Sequence, residues 1–555
     1  MSDPCFTRFA SPVEELSLPE QFTFPFYYQP HPLCELAAEQ LQQHLATQQQ
    51  WQHDFGLQDS NGCGKMFGVL VVKNTAGELG FLSAFSGKIA DQNLLPGFVP
   101  PVFDMLTEEG FFRRELADIT DINQQVKGHQ ANPRLAELQA EIDAATYGYQ
   151  LQEQSLRQQL IVNRAERKQQ RQQAESMPVA ARNERFDQLA RQSVADKNAL
   201  KHLKQDWQAQ LQTLQDELDR LTRQLEELKQ RRGQLSNQLQ NKLFRQYRFL
   251  NQRGETRDLM DIFSASSNPV PPAGSGECCA PKLLQYAYQT GLQPLAMAEF
   301  WWGTSPKSEI RQHKKFYPSC QSKCQPILSH MLQGLDVEPN PLEQNWAEHL
   351  PLEIVYQDEA MVVVNKPAGL LSVPGKTVQD SVYTRLQAQF ADCEGPIVVH
   401  RLDMATSGLL VFALTRRANK SLQKQFISRR VAKRYVALIE GSLAEDSGTI
   451  SLPMRGDPDD RPRQLVCFEH GKPAETFWQR IDAHQGQTKL YLYPKTGRTH
   501  QLRVHCAHHL GLNSPMVGDG LYGQKADRLH LHSERLEFDH PYTKQAMVFQ
   551  ADADF

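Results

Sequence analysis

The sequence predicts an α+β protein with several cores: small N-terminal α/β units, a long α-helical hairpin, and a C-terminal domain of short strands, turns and a few helices. Three observations lead there. A chain of 555 residues is too long for one compact core. A mean hydropathy of -0.55 beside an ordinary 40 % hydrophobic content requires a long solvated polar stretch. From Leu352 onward, short apolar runs such as Ile354-Val355-Tyr356 and Met361 to Val364 alternate with turns.

Residues 1–125 read as a globular region of unknown role. Met66 to Val72 and Glu78 to Phe85 are apolar, partly β-branched runs flanking Asn74-Thr75-Ala76-Gly77, the pattern of a β-hairpin. Residues 126–255 form the long helical hairpin. Asn132 to about Ala174 and Ala181 to about Phe249 are crowded with Gln, Glu, Lys, Arg and Leu, all good helix formers, with Pro178 between the arms. Leu200, Leu203, Trp207, Leu211, Leu214, Leu218, Leu221, Leu225 and Leu228 recur every three or four residues, which is coiled-coil spacing. Either the two arms pack on each other or the longer arm self-associates with a second copy. Both readings make the hairpin a spacer or an arm. Residues 256–340 form a small cysteine-containing unit, entered through the Ser-, Pro- and Gly-rich stretch Ser264 to Gly276 and left through a linker at Asp336 to Pro341. Residues 341–555 carry the chemistry.

No segment of about 18 apolar residues occurs, and Met1 to Pro19 lacks a basic region followed by an apolar run. The expectation is a cytoplasmic protein with no membrane partner. Ten cysteines spread over this length make no dense disulfide framework and are expected as thiols or metal ligands. The formal charge of -4 does not decide nucleic-acid binding, because phosphate contact depends on a local basic face.

Four clusters carry the functional argument. Asn365-Lys366-Pro367-Ala368-Gly369-Leu370 is a strand end and turn. His400-Arg401-Leu402-Asp403-Met404-Ala405-Thr406-Ser407-Gly408-Leu409 places a polar tetrad between apolar runs, where an acid must face a cleft or be paired. Lys433-Arg434-Tyr435 leads a tyrosine into a strand. Thr496-Gly497-Arg498-Thr499-His500-Gln501-Leu502-Arg503 is followed by Gly518-Asp519-Gly520.

In their order and spacing these clusters resemble the RluA family of pseudouridine synthases, which share the His-Arg-Leu-Asp-x-x-Thr-Ser-Gly-Leu block. Leu371-Ser372-Val373-Pro374-Gly375, Asp403-Met404-Ala405-Thr406 and Gly471-Lys472-Pro473-Ala474 are similar to the branch that modifies a large-subunit rRNA hairpin and a tRNA anticodon stem-loop. The resemblance covers roughly the last 200 residues. It implies a catalytic domain with a mixed, mainly antiparallel sheet, an isomerase that needs no cofactor, and folded RNA (large-subunit rRNA and/or a tRNA stem-loop) as partner. It assigns catalysis to Asp403 as the nucleophilic or otherwise catalytic carboxylate, to Arg503 as its ion-pair partner, and to Tyr435, which stacks on the base and serves proton transfer at carbon 5. Arg401 matches the residue that fills the gap left by a flipped uridine. His400 is grouped with the substrate site through a structural role in shaping the loop around Asp403. His500, Gln501 and Asp519 read as scaffolding, and Thr406-Ser407-Gly408 as a capping turn.

RNA binding also has a local signal. Arg416, Arg417, Lys420, Lys424, Arg429, Arg430, Lys433 and Arg434 fall in one stretch without an acid, beside the apolar Leu422, Phe426 and Ile427, as a phosphate-tracking helix and loop would. Arg430, Lys433 and Arg434 are the expected substrate contacts from this run. In the small unit, Cys278 or Cys279 with Cys320 and Cys324 offer soft ligands for a structural zinc, the set Cys279, Cys320 and Cys324 being taken here. Glu277 or Glu299 would then be the base of a zinc deaminase. Against this, Cys320-x-x-x-Cys324 is one residue longer than the usual close pair, and unligated buried cysteine is common. Two rivals to the isomerase remain: an RNA-binding factor indifferent to Asp403, and a glycosidic-bond hydrolase, which needs a second placed carboxylate that the sequence does not offer.

Overall fold

The computed structural model describes residues 3–57, 62–107, 110–266, 268–307, 309–341, 343–458 and 460–555. The chain forms two compact units. Met105–Leu243 is one, and Met1–Asp104 with Phe244–Phe555 is the other, so the first unit is inserted into the second. No helix among the described residues is long and apolar enough to cross a membrane.

The inserted unit holds three helices, Phe111–Gln130, Pro133–Ala174 and Val179–Gln246. Pro133 starts the second where its missing N–H costs nothing, and the Asn132 side chain caps the Arg134 amide. The last two helices fold back on each other. Arg134 forks the Glu217 carboxylate at 3.2 and 2.9 Å, Gln152 accepts from the Trp207 indole at 3.0 Å, and Arg167 pairs with Asp196. These partners descend one arm as they ascend the other, so the pairing is antiparallel. At Gly148 an added Cβ would stand 3.1 Å from the Trp207 ring, so the absent side chain makes room for the indole. The leucine stripe is thus half-buried within one chain. Helix Phe111–Gln130 lies in a stretch read from sequence as globular. Its polar composition hides the three residues it buries, Ile119, Ile122 and Val126.

The sequence reading kept residues 1–125 and 256–340 apart, but in the structure they share a sheet. Lys65–Lys73 pairs antiparallel with Leu79–Phe85 on one side, as the hairpin pattern predicts, and with Gln293–Trp302 on the other. Helix Pro32–Thr47 packs its Leu33, Ala37 and Leu41 with Phe67, Val69 and Val71 in one core. Helix Cys279–Thr290 lies against the opposite face, where Gly68 meets Cys279. The central strand is covered on both sides, which explains why it reads as a continuous apolar run. Nothing in such a run identifies a partner more than 200 residues away.

The C-terminal sheet has ten strands. Its main path runs Ser447–Ser451, Glu475–His484, Gln487–Pro494, Ala432–Glu440, Leu531–Asp539, Ser407–Ala413, Met361–Lys366, Glu353–Gln357. All neighbours are antiparallel except Leu531–Asp539 and Ser407–Ala413, which run parallel in the middle. The mixed, mainly antiparallel expectation holds. At the parallel joint Gly408 takes φ +109°, and a Cβ there would sit 2.4 Å from the Ser533 carbonyl, so glycine is required. The core beneath the sheet takes in residues upstream of Pro351: Ile310 and Ala347 are buried in it, and Tyr27 packs against it. Polar contacts add to the seam, with Lys315 on Glu440 at 2.7 Å and Gln312 on the Asn513 carbonyl at 2.8 Å.

These contacts separate two deletions. A chain beginning at Pro351 loses Tyr27, Ile310 and Ala347 from its core and is expected to melt about 10 °C lower, from the usual cost of emptying a core site. Replacing Met105–Leu243 by a short Gly-Ser linker is expected to leave the melting of the remaining unit within a few degrees, because the flanking Phe103 and Tyr247 rings already lie 5.9 Å apart. Differential scanning calorimetry of both forms against the full chain checks the pair.

Candidate active site

A cleft of about 1190 Å³ opens beside the parallel joint. It is lined by the loop 371–375, the segment 398–404, Tyr435, and the stretch 493–503 that leads into helix Gln501–Ala507. Asp403 lies on this wall with its side chain 31 % exposed. The described part of the cleft therefore brings three of the four sequence clusters around one carboxylate, and the fourth supports it from behind.

That support comes from Asn365 to Ser372. Lys366 is fully buried, and its ammonium donates to the carbonyls of Pro367 at 3.0 Å, Leu370 at 2.7 Å and Met404 at 3.0 Å. Three acceptors match its three protons. Burial nevertheless pushes its pKa down to about 7, opposed by the nearby Asp403 carboxylate. The Gly369 amide also donates to Met404, and the Ser372 hydroxyl both donates to the Leu402 carbonyl at 2.7 Å and accepts from the Leu402 amide at 3.0 Å. Residues on both sides of Asp403 are thus pinned. Lys366 and Ser372 were missed as site residues by sequence reasoning. The available signal was a lysine at the end of a fully apolar strand, where an ammonium must find partners.

Arg503 and Asp519 form the second support. The guanidinium forks the Asp519 carboxylate, Nε to Oδ2 at 2.8 Å and Nη2 to Oδ1 at 2.5 Å, while its Nη1 stands 3.9 Å from Asp403 Oδ2. Asp519 is completely buried and accepts further bonds from the Leu521 and Tyr522 amides. Burial works against both charges, but Asp519 holds Arg503 protonated and Arg503 keeps the Asp519 pKa low. Arg503 therefore reaches Asp403 as a fixed cation rather than as its hydrogen-bonded partner.

His500 closes the ring. Its Nε2 is 3.9 Å from Asp403 Oδ2 and its Nδ1 is 2.8 Å from the Tyr522 hydroxyl. That hydroxyl also accepts from the Gln464 amide at 2.7 Å, and in the tautomer where it gives its own proton to Nδ1 the imidazole proton sits on Nε2, facing Asp403. Burial, with Arg503 adding to it, pushes the His500 pKa down to about 4, so the ring is neutral. Tyr435 enters from strand Ala432–Glu440, where a β-bulge between Arg434 and Tyr435 breaks the register against Leu531–Asp539. Burial pushes its phenol up to about 12, partly offset by a hydrogen bond with Ser533, and Asp403 adds to the rise.

The remaining expected residues divide. Arg401 is exposed at the cleft, and Lys433 lines it. His400 stacks on Phe426 at 4.7 Å, its Nε2 accepts from the Val411 amide at 3.3 Å, and burial holds its pKa near 3, with Lys433 adding to the depression. It shapes the loop and carries no charge. Arg434 pairs with Glu534 at 2.5 Å and lies over the Tyr491 ring at 4.4 Å, away from the cleft lining, and Arg430 is exposed outside it. Arg429, at φ +58°, occupies the cleft position that sequence reading gave to Arg430. The turn after helix Arg416–Ile427 decides which of two adjacent arginines points inward, and residue type does not show it. Ser407 meets the His532 ring and the Arg528 guanidinium, in keeping with a structural turn.

Among the cysteines, the structure replaces Cys279 by Cys278. The sulfurs of Cys278, Cys320 and Cys324 lie within 4.8 Å of one another, whereas Cys279 turns into the core and meets the Met66 carbonyl at 3.3 Å. Cys278 caps the helix and Cys279 is its first residue, so successive side chains diverge. Of the two glutamates considered as a base, Glu277 is held by Tyr247 and by Lys282 at 3.3 Å.

Comparison with known proteins adds an independent line. The family model for RNA pseudouridylate synthase matches residues 360–508. The "Dual-specificity RNA pseudouridine synthase RluA" of Yersinia pestis is 46 % identical over 210 residues, taking in 36 % of this chain and 99 % of that protein. The protein of the same name from Escherichia coli (strain K12) is 44 % identical over 224 residues, 39 % of this chain and 97 % of that one. Among solved structures, "Human RNA Pseudouridylate Synthase Domain Containing 1" aligns with 39 % of this chain and 87 % of its own at 31 % identity, with a TM-score of 0.32.

Two outcomes follow from the buried ionic ring. Asp519→Asn leaves the Arg503 charge uncompensated and is expected to cost about 3–5 kcal/mol of stability, read from denaturant unfolding. The buried histidines titrate near 6.5 in the unfolded chain and much lower in the fold, so the unfolded state takes up protons first. The histidine contribution to stability is therefore full above pH 6.5 and falls as the pH drops towards 4, and His500→Gln should reduce that slope by on the order of one proton when unfolding midpoints are compared across the range.

Proposed function

We propose, from the premise that the chain belongs to the RluA family of pseudouridine synthases and isomerises uridine in RNA, that Asp403 is the carboxylate that opens the glycosidic bond. The observation that carries this reading is the placement of Asp403: pinned on both sides by Lys366 and Ser372, facing a cleft, with the Arg503 cation at 3.9 Å. An ionised, fixed and accessible carboxylate is what covalent or proton-abstracting attack on a ribosyl unit needs.

The reaction breaks the bond from ribose C1′ to N1 of uracil, turns the base, and joins C1′ to C5. A proton leaves C5 and one is gained at N1, so no atom is lost and no redox partner is consumed. Asp403 supplies the electron pair that stabilises the freed ribose. Arg503 and His500, each 3.9 Å from Asp403 Oδ2, orient that oxygen. Tyr435, protonated at neutral pH, stacks on the turning base and offers the hydroxyl through which the C5 proton passes. The target uridine must leave its stack to reach the cleft, and exposed Arg401 takes the vacated space.

The RNA is a stem-loop of large-subunit rRNA or tRNA, engaged in the cytoplasm. Lys433 and Arg429 at the cleft, with exposed Arg416, Arg417, Lys420 and Lys424 on the neighbouring helix, track its phosphates. The reading is tested by tritium release from C5-labelled uridine in tRNA and protein-free rRNA. The full chain is expected to release tritium, and Asp403→Asn is expected to bind RNA with rates reduced by at least 10⁴-fold, in the range that loss of a covalent catalyst costs. Release of free uracil would instead indicate a hydrolase, and equal activity of the variant would remove Asp403 from the chemistry.

A further inference from the structure

We propose that Cys278, Cys320 and Cys324 form a zinc site with three thiolate ligands and a fourth position open to water. The site lies beside the three-stranded sheet that includes strand Gln293–Trp302 and is independent of the RNA chemistry. The three sulfurs lie within 4.8 Å of one another, and Cys320 Sγ is 3.5 Å from Cys324 Sγ. Thiolates around a tetrahedral zinc, with Zn–S bonds of about 2.3 Å, stand roughly 3.8 Å apart, so the cluster needs little adjustment to take the ion.

The local fold favours the anionic form that a metal requires. Cys278 is the N-cap of helix Cys279–Thr290, and Cys324 is the first residue of helix Cys324–Met331. Two helices thus begin at the cluster, and their unpaired amides and dipoles stabilise negative sulfur. Cys320 joins them from the preceding loop, its thiol donating to Cys324 Sγ. Cys278 and Cys320 keep partial exposure, which leaves the fourth direction reachable by solvent. Among the described residues no other histidine, cysteine or carboxylate joins the group.

A buried carboxylate explains how two loops separated by about 40 residues are held in register. Glu299, on the edge strand Gln293–Trp302, accepts from the Ala280 amide at 3.2 Å and from the Ser319 hydroxyl at 2.6 Å. Ala280 follows the Cys278 turn, and Ser319 immediately precedes Cys320. Glu299 is only 3 % exposed, and its bonds go to the two ligand loops, so it acts as a positioning residue behind the thiols. This replaces the role of metal-assisted base that the sequence allowed for it.

The test uses the full chain purified under reducing conditions without chelator. Elemental analysis is expected to find one zinc per chain, and the chelated protein is expected to take up one Co²⁺ with a thiolate-to-cobalt charge-transfer band in the near ultraviolet. Cys320→Ser should abolish that band, whereas Cys279→Ser should retain it. Glu299→Gln presents a single acceptor to two donors and should weaken Co²⁺ binding roughly 10- to 100-fold while the band position stays the same. A reduced wild-type chain that takes up neither ion overturns the proposal. So does a band unchanged in Cys320→Ser, or a Cys320–Cys324 disulfide in freshly prepared protein. The wild-type titration stands even if a variant fails to fold.

Discussion

The fork between Arg503 and Asp519 is the constraint on which the rest of the cleft depends. A guanidinium that is 6 % exposed can remain charged only with a partner, and Asp519 is that partner, itself fully buried and held by two backbone amides. Once fixed, Arg503 projects one remaining nitrogen at Asp403. The same turn carries Tyr522, whose hydroxyl holds the His500 ring at 2.8 Å. One Gly-Asp-Gly turn therefore orients both groups that face the proposed catalytic oxygen, though Asp519 itself does not reach the cleft. Buried ion pairs are poor sources of net stability. Here the pair is better understood as a means of placing charge without local motion.

The opposite side of Asp403 is held by neutral acceptors around a cation. Lys366 gathers three carbonyls, including that of Met404, and Ser372 grips Leu402 through both its donor and its acceptor. The loop is thus tied to the end of strand Met361–Lys366, whose neighbour in the sheet is the strand that the loop itself enters. Gly408 completes this arrangement by letting the Ser533 backbone approach where no Cβ fits. Ser533 also pairs across the sheet with Tyr435, so the carboxylate and the phenol are registered through one residue.

The appended sequence serves two different structural ends. Residues around the three-stranded sheet contribute Ile310 and Tyr27 to the core of the catalytic half or its edge, so that domain is part of one folded unit with it. Met105–Leu243 is a separate helical unit closed by contacts between its own arms. The leucine stripe that suggested either self-packing or self-association has Trp207 seated on Gly148 of the same chain.

The sequence by itself determined the identity of the catalytic half through the resemblance of its polar clusters, in order and spacing, to the RluA family. Asp403, Arg503 and Tyr435 do meet at one cleft, and the helical arms follow from composition and period alone. Tertiary structure decided everything that depends on which of two neighbouring side chains turns inward: Cys278 rather than Cys279, Arg429 rather than Arg430, and Arg434 drawn to Glu534. It also decided that strand Gln293–Trp302 completes a sheet begun before residue 86, and that Lys366 and Asp519 hold the site. The reason is physical. Local periodicity and residue chemistry are written along the chain, but the partner of a buried charge or a strand edge is chosen by packing between segments distant in sequence.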